Sequence, residues 1–243
     1  MGTAGKNGRG RLKREARHLC GAVAREIADM AAYWGRRKIG WLDAASEEFD
    51  KLVEPFTFHV MDVTPLEIQA VNRFFTEWVL FERPMCGDRT PLEIYIERRP
   101  DGVPAETLRR LRQVAETHLF SRFAILGKDR SSDMVTLQDV LAGQRYEVFD
   151  SCICAQDRWR DGSIAMRIAQ VDGLWQAVGQ THLYDIAKPG LTAADGPGAV
   201  HPEDRGCKPD TGAMSFYLRL LRDVIGVSGR YTSTLRLRPA PAA

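Results

Sequence analysis

The sequence has 243 residues, 44% of them hydrophobic, and a formal net charge of +2. This length predicts one large domain or two small ones, with enough apolar residues for a sizeable core. No run of about 18 apolar residues is present, which excludes a membrane-spanning helix. No apolar region follows the basic N-terminus, so we expect no signal peptide and a cytoplasmic location.

Five cysteines are scattered along the chain, a pattern that does not fit a disulfide framework. The one close pair, Cys152 and Cys154, lacks the second close pair that a zinc site usually requires. On a strand, both thiols would point to the same face, which fits two small buried apolar residues. We therefore expect structural or free thiols, no metal ion and no cofactor. A nucleophilic Cys152 would need a histidine partner that the sequence does not identify.

Positive charge is concentrated at the two ends of the chain. Residues 1–38 carry ten Lys and Arg side chains against three acidic ones, a net charge of +7, and the remaining 205 residues sum to −5. Three further arginines follow Asp223 without an acidic residue. A basic end of this kind is typical of contact with nucleic acid, and also of a solvated helix face. The candidate nucleic-acid-binding residues are Arg9, Arg11, Lys13, Arg14, Arg17, Arg36, Arg37 and Lys38.

A long helix is the first strong periodic pattern. Residues 1–10 are rich in glycine and polar side chains, which predicts a disordered basic tail. From Leu12 to Trp34, apolar residues recur at steps of three and four, the period of an amphipathic helix. A second helix is predicted from Asp43 to about Val53. These elements begin a helical region that we assign to residues 11–120.

The pentapeptide Thr-Pro-Leu-Glu-Ile occurs twice, beginning at Thr64 and at Thr90. A duplicated binding motif would explain the repeat, and so would two helices with the same start. Threonine suits the N-cap, proline the first helical position, and glutamate the third, from which its carboxylate reaches back to the threonine N–H. No longer similarity surrounds the two copies. We therefore interpret the repeat as capping chemistry, and predict a third helix start at Pro104.

The period changes from helical to alternating after Ser121. Five or six short strands are predicted between about residues 122 and 184, and Asp172-Gly173 between two of them is a strong hairpin signal. So many strands in about 60 residues favour a small, bent barrel, because a flat sheet would leave its edges open. We assign 121–186 to this β domain, 187–213 to a Pro/Gly-rich loop, and 214–243 to a C-terminal helix and tail. The predicted fold class is α+β, with a helical N-terminal half, a small barrel-like antiparallel β domain and a C-terminal helix.

Four short segments carry a family resemblance: Trp78–Glu82, Thr90–Glu93, Ser121–Phe123 and Gly162–Arg167. The stretch that contains them, about residues 74–184, resembles an uncharacterised bacterial family whose members are often joined to a zinc-binding SEC-C tail. The resemblance implies a helical segment followed by a small β domain with a hairpin near its end. The SEC-C cysteine pattern is absent from this sequence, so the resemblance implies no role of that tail here.

The sequence contains none of the familiar catalytic motifs. Walker A, G-x-G-x-x-G, G-x-S-x-G, H-E-x-x-H and EF-hand patterns are all missing. The five histidines are far apart in the sequence. His118 lies at a predicted helix end, where a cation is favoured, and we prefer this capping role to that of a catalytic base. Trp159 and Trp175 would suit an aromatic platform, but packing in the core or across strands is the simpler use. No catalytic residue is therefore predicted.

Three hypotheses about function follow. The first is a cytoplasmic, non-enzymatic adaptor that contacts nucleic acid or a ribonucleoprotein through its basic ends. The second is a protein-interaction or dimerisation module in which helix 12–34 packs against a partner or a second copy, without nucleic acid. The third is an enzyme of unrecognised type, which would need titratable groups converging in a cleft. The surface charge and the largest cleft of the structure discriminate among them.

Overall fold

A computed structural model describes residues 4–37, 40–190, 195–201, 204 and 210–231. Within these residues, six helices precede the first strand: α1 (Ala4–Arg36), α2 (Gly40–Val53), α3 (Phe56–His59), α4 (Pro65–Phe81), α5 (Pro91–Arg98) and α6 (Ala105–Thr117). Five strands follow: β1 (Leu119–Asp129), β2 (Met134–Asp139), β3 (Arg145–Phe149), β4 (Ser163–Val171) and β5 (Leu174–Asp185). Two further helices are α7 (Ser151–Ala155), between β3 and β4, and α8 (Phe216–Ile225), after β5. The α+β fold class is confirmed, while the predicted loop at 187–213 and the C-terminal tail lie partly outside the described residues.

Helix α1 is longer than its apolar pattern. It already includes Ala4, within the segment 1–10 for which we predicted disorder. Once a helix is nucleated, each added residue gains one backbone hydrogen bond, so an amphipathic helix can extend into a polar stretch. The second half of the apolar stripe is buried by the protein's own chain: Val23, Met30 and Trp34 are at most 3% exposed and pack among residues of α4, α5, α6 and the sheet. Leu12, at the start of the stripe, is 61% exposed.

The five strands close into a ring in the order β1-β2-β3-β5-β4, with β4 paired back to β1. Four of the pairs are antiparallel, but β3 and β5 run parallel, with Val148 opposite Trp175. The prediction of an entirely antiparallel β domain is therefore wrong. The reason is geometric, because strand directions cannot alternate all the way around a ring with an odd number of strands.

The hairpin signal between β4 and β5 is confirmed. Asp172 and Gly173 have φ angles of 51° and 79°. They lie between the paired residues Val171 and Leu174. Positive φ at both central residues is what a two-residue type I′ turn requires, and Asp-Gly is among the pairs that adopt it most readily.

Both copies of the pentapeptide are capping boxes. The Glu67 N–H donates to Thr64 Oγ1 at 3.3 Å, and the Thr64 N–H donates to Glu67 Oε2 at 2.8 Å. Thr90 and Glu93 make the same reciprocal pair at 3.4 and 2.7 Å. The repeat therefore begins helices α4 and α5, as predicted. Helix α6 has Pro104 as its N-cap, without a side-chain hydrogen bond.

Cys152 and Cys154 do not lie on a strand, where they would have shared a face. Both residues lie in helix α7, which starts directly after β3 because Asp150 accepts a hydrogen bond from the Ile153 N–H at 2.8 Å and caps it. Cys152 is exposed and Cys154 is 1% exposed, so the two thiols do not share a face. Burial raises the pKa of the Cys154 thiol to about 11, which disfavours its thiolate.

The core of the described residues consists of three apolar groups. One fills the interior of the ring, one joins α2, α4 and α8 to the sheet, and one joins α1, α5 and α6 to the sheet. Trp175 packs edge-on against Tyr146 at 4.8 Å, and Trp159 lies 5.5 Å from Tyr184, so both tryptophans pack against the interior group. Of the described helices, none combines the length and the apolar content that crossing a membrane requires.

Candidate functional site

Six of the eight candidate nucleic-acid-binding residues have described side chains, and all six belong to α1 or the turn after it. The side chain of Arg9 and the whole of Lys38 lie outside the described part of the chain. Arg37 places its guanidinium 3.8 Å from the centre of the Tyr33 ring. At the other end of the chain, Arg230 Nη2 lies 4.0 Å from Asp204 Oδ1. The candidate residues therefore occupy several different environments.

Lys13 and Arg17 make contacts inside the protein. Lys13 Nζ lies 2.8 Å from Asp133 Oδ1 and donates to the backbone oxygen of Arg130 at 2.9 Å. Arg17 Nη2 donates to Asp133 Oδ2 at 2.8 Å. The Asp133 side chain is 9% exposed. These two cations therefore attach the first half of α1 to the turn between β1 and β2.

Other arginines form a row on the outer face of α1. We call this set the α1 arginine row; it consists of the exposed residues Arg11, Arg14, Arg25 and Arg36. At 100° per residue the row lies within an arc of about 60°, and it is about 37 Å long. Arg14 and Arg36 make no ion pair with any described residue, and the exposed pair of Arg11 with Glu15, at 3.6 Å, is weak. One acidic residue, Asp29, falls in the same arc.

A second charged group is buried where α4 meets the ring. Arg167 of β4, which is 1% exposed, donates from Nε to Glu77 Oε1 at 3.0 Å and from Nη2 to Glu82 Oε1 at 2.7 Å. Its Nη1 lies 3.1 Å from His118 Nδ1. Each of the three guanidinium nitrogens thus has a partner, as a buried charge requires. We call these four residues, together with His182, the Arg167 cluster.

Aromatic rings enclose the Arg167 guanidinium. Its central carbon lies 4.9 Å from the ring centre of Phe81, 5.4 Å from that of Tyr217 and 5.5 Å from that of Phe120. The negative faces of these rings stabilise the buried cation in place of water. The Tyr217 hydroxyl donates to the backbone oxygen of Phe74 at 3.0 Å, which fixes its ring beside the guanidinium.

Glu77 connects the Arg167 cluster to β5. Its Oε2 accepts from the Gln180 N–H at 3.0 Å and lies 3.1 Å from His182 Nε2. Burial alone would raise the pKa of the Glu77 carboxyl, but His182 and Arg167 outweigh burial and lower that pKa to about 2. Gly179 faces this carboxylate so closely that a Cβ atom there would lie 2.5 Å from Glu77 Oε1.

His118 is a neutral acceptor in this arrangement. Burial and the neighbouring Arg167 lower the pKa of His118 to about 4. Arginine can only donate, so the His118 Nδ1 atom at 3.1 Å carries no proton. The interpretation of His118 as a cation at the end of a helix is therefore wrong, although the residue does follow the last turn of α6.

The centre of the Arg167 cluster is buried, while Glu82 and His118 at its edge are partly exposed. Arg167, Glu77 and His182 are each at most 5% exposed. A cleft of about 400 Å³ between α1, α4 and β5 reaches the edge of Glu77, but its walls are largely small and apolar, with Ala24 and Ala28 on one side. Titratable groups do converge here, as the enzyme hypothesis requires, but they bind one another. The cluster holds α4 against β4 and β5.

Sequence reasoning missed the Arg167 cluster, because its members are widely separated in the chain. The available signal was a charged residue inside an apolar run. Arg167 interrupts the run from Ile164 to Ile168, and Glu77 lies between Phe74 and Trp78. Two of the segments that carry the family resemblance supply Arg167 and its partner Glu82.

No metal or family assignment accompanies this geometry. Within the described residues, no group of three or more His, Cys, Asp or Glu side chains is placed to hold a metal ion. Comparisons of the chain with protein-family models, curated proteins and solved structures found no match.

Proposed function

We propose that the protein is a cytoplasmic, non-catalytic adaptor that binds nucleic acid through the α1 arginine row. One observation carries the proposal: the four exposed arginines lie on one face of a helix whose opposite face is packed on the domain. The row therefore presents its cations along one side of a single helix. We also propose that the chain is related to the uncharacterised bacterial family that it resembles. That relationship does not identify a ligand.

The α1 arginine row suits a nucleic-acid backbone in length and chemistry. Its length of about 37 Å is close to one turn of B-form DNA, roughly 34–36 Å. Each guanidinium offers a planar set of donors that pairs with two phosphate oxygens at once. Glu15 and Asp29 reduce the local net charge, so we expect moderate affinity with a steep dependence on salt.

The test is fluorescence anisotropy with labelled duplex DNA and single-stranded RNA of mixed sequence, at about 50 to 200 mM salt. Two triple variants carry the same change in net charge. One replaces Arg14, Arg25 and Arg36 with glutamine. The matched control replaces three exposed arginines of α5, α6 and β3 with glutamine, namely Arg98, Arg112 and Arg145.

We expect the row variant to bind more weakly and to have a salt slope shallower by about 2 to 3, since each lost phosphate contact removes about 0.9. The control variant should keep the affinity and the slope of the wild type. Equal losses in both variants would assign the binding to net charge alone and not to the α1 arginine row. A wild-type protein that binds neither probe at low salt would contradict the proposed function.

A contact between two copies through α1 is the second candidate. One observation favours it: Leu12 belongs to the apolar series and is nevertheless 61% exposed. A wild-type dimer in sedimentation that becomes a monomer with Leu12→Asp would support this candidate. A wild-type monomer at high concentration would exclude it.

A further inference from the structure

Asp133 holds two cations in the way that a phosphate would. One carboxylate oxygen lies 2.8 Å from Lys13 Nζ, and the other accepts from Arg17 Nη2 at 2.8 Å. Both cations are among the residues predicted to bind nucleic acid. A phosphate offers the same arrangement of two oxygens on one centre, with a greater charge than a carboxylate when it is a terminal group. The carboxylate and a nucleic-acid phosphate would therefore compete for the same pair.

The two halves of α1 are held differently. Of the side chains from Gly10 to Ala22, none is buried, and Leu12 is 61% exposed. The second half begins at Val23 and is firmly packed, with Met30 and Trp34 at most 3% exposed. The boundary falls at Gly21. A Cβ atom there would meet nothing within 4 Å, so packing does not require this glycine, which lowers the stability of the helix at that point.

The surface under the first half of α1 is incompletely filled. A cleft of about 410 Å³, open to solvent, lies between this half and the ring. Its apolar lining comes from both sides, with Ala16 and Leu19 on the helix and Met134, Phe149 and Leu174 on the ring. Because side chains on opposite walls of an open cleft do not pack against each other, apolar packing contributes little to this attachment. The polar contacts of Lys13 and Arg17 therefore carry much of it.

We infer that Lys13 and Arg17 form a phosphate-binding pair that Asp133 masks in the free protein by holding the first half of α1, up to Gly21, against the ring. Nucleic acid displaces the carboxylate and opens this segment, which we call the α1 arm. Opening adds two cations to Arg11 and Arg14. The identity of the ligand rests on the proposed function, whereas the attachment of the arm by Asp133 does not.

Asp133→Asn is the decisive variant. It removes the charge that Lys13 and Arg17 bind, and asparagine tolerates the positive φ of 59° at this position. Asp157→Asn is the matched control, because it removes the same charge from an exposed ion pair with the Arg130 side chain. Lys13 contacts only the backbone oxygen of Arg130, which this variant leaves in place. Both variants change the net charge of the same neighbourhood equally.

Two measurements follow the arm without any ligand. Hydrogen exchange compares the backbone amides of residues 11–20 with those of 23–34, which serve as an internal reference. Thiol labelling, read by peptide mass spectrometry, follows Cys20, which is half-buried in the arm. Burial and the nearby Asp150 raise the pKa of Cys20 to about 12, so in the closed state this thiol reacts slowly.

In the wild type and in Asp157→Asn, we expect exchange at 11–20 and labelling of Cys20 to rise several-fold as salt weakens the ion pairs. In Asp133→Asn, both should be high at every salt concentration, with exchange at 23–34 unchanged. Labelled duplex DNA should bind Asp133→Asn several-fold more tightly than Asp157→Asn, because no carboxylate has to be displaced.

Each result decides one part of the inference. Exchange and labelling that stay at wild-type values in Asp133→Asn would show that this residue does not hold the arm, and would overturn the inference. An arm that opens in Asp133→Asn without tighter DNA binding than Asp157→Asn would overturn the masking. DNA that binds none of the three proteins would contradict the proposed function, and with it the masking, while exchange would still decide whether Asp133 holds the arm.

Discussion

The guanidinium of Arg167 lies 3.0 Å from the carboxylate of Glu77, and the two side chains are 1% and 5% exposed. The pair joins β4 to α4 across 90 positions of the chain. Charges this deeply buried are tolerated because Glu82, His118 and His182 complete the contacts of the pair. The stability of the protein should therefore depend on the cluster being complete.

Removing the cation should be costly. Arg167→Met leaves Glu77 and Glu82 buried or half-buried without their partner, and we expect the free energy of unfolding to fall by about 3 to 5 kcal/mol. Urea denaturation measures this change. Arg145→Met at an exposed position of β3 is the control, with an expected change within about 0.5 kcal/mol. An Arg167 variant as stable as that control would show that the cluster contributes little.

The carboxyl of Glu77 should make stability depend on acid pH. Its pKa is about 2 in the folded protein against an ordinary value of 4.5. A depressed carboxyl pKa stabilises the folded state fully above pH 4.5, and this contribution is lost as the pH falls through 2. The loss amounts to about 3 kcal/mol. Urea denaturation across this range should show a shallower pH dependence for Glu77→Gln than for the wild type, and parallel curves would contradict the prediction.

The His118 ring should also make stability fall with decreasing pH, over a higher pH range than Glu77. Its pKa is about 4 in the folded protein against an ordinary 6.5, so protonation favours the unfolded chain. Stability should therefore fall as the pH drops from 6.5 to 4, by about 3 kcal/mol. His118→Gln keeps an acceptor for Arg167 and should remove this part of the curve. An NMR titration in which the His118 ring protonates near pH 6.5 would refute the prediction.

Gly179 should tolerate no side chain. A Cβ atom there would lie 2.5 to 2.6 Å from the carboxylate atoms of Glu77, so Gly179→Ala should cost about 1 to 3 kcal/mol of unfolding free energy. Gly127→Ala, in strand β1, is the matched control because a Cβ there meets nothing within 4 Å. Thermal and urea unfolding of both variants test the difference, and two equally stable variants would contradict it.

The two capping threonines should matter for stability and not for binding. Thr64→Ala and Thr90→Ala each remove the oxygen that accepts from the third residue of a helix, at a cost of about 1 kcal/mol. For a chain of this size, that lowers the melting temperature by roughly 2 to 4 °C. Binding curves recorded well below the melting temperature should be unchanged. A variant with normal melting and lost binding would make the repeat a ligand site.

The sequence by itself determined the features that depend on neighbouring residues. Thr64 and Glu67 are three positions apart, so their capping box follows from local geometry, and the Asp172-Gly173 turn is equally local. The helical and alternating apolar periods predicted the order of most helices and strands for the same reason. Helices α3 and α7, with four and five residues, are too short to show a period.

Only the tertiary structure decided which distant residues meet. Glu77 and Arg167 become partners because α4 packs against β4, and no local pattern records that packing. The same holds for the charge of α1. Composition marked Lys13, Arg14 and Arg17 alike, but the turn before β2 places Asp133 beside Lys13 and Arg17 and leaves Arg14 in solvent. The position of Asp133 therefore decides which cations are held inside the protein and which remain free to bind a partner. An ion pair forms only between groups that the fold brings within a few ångströms.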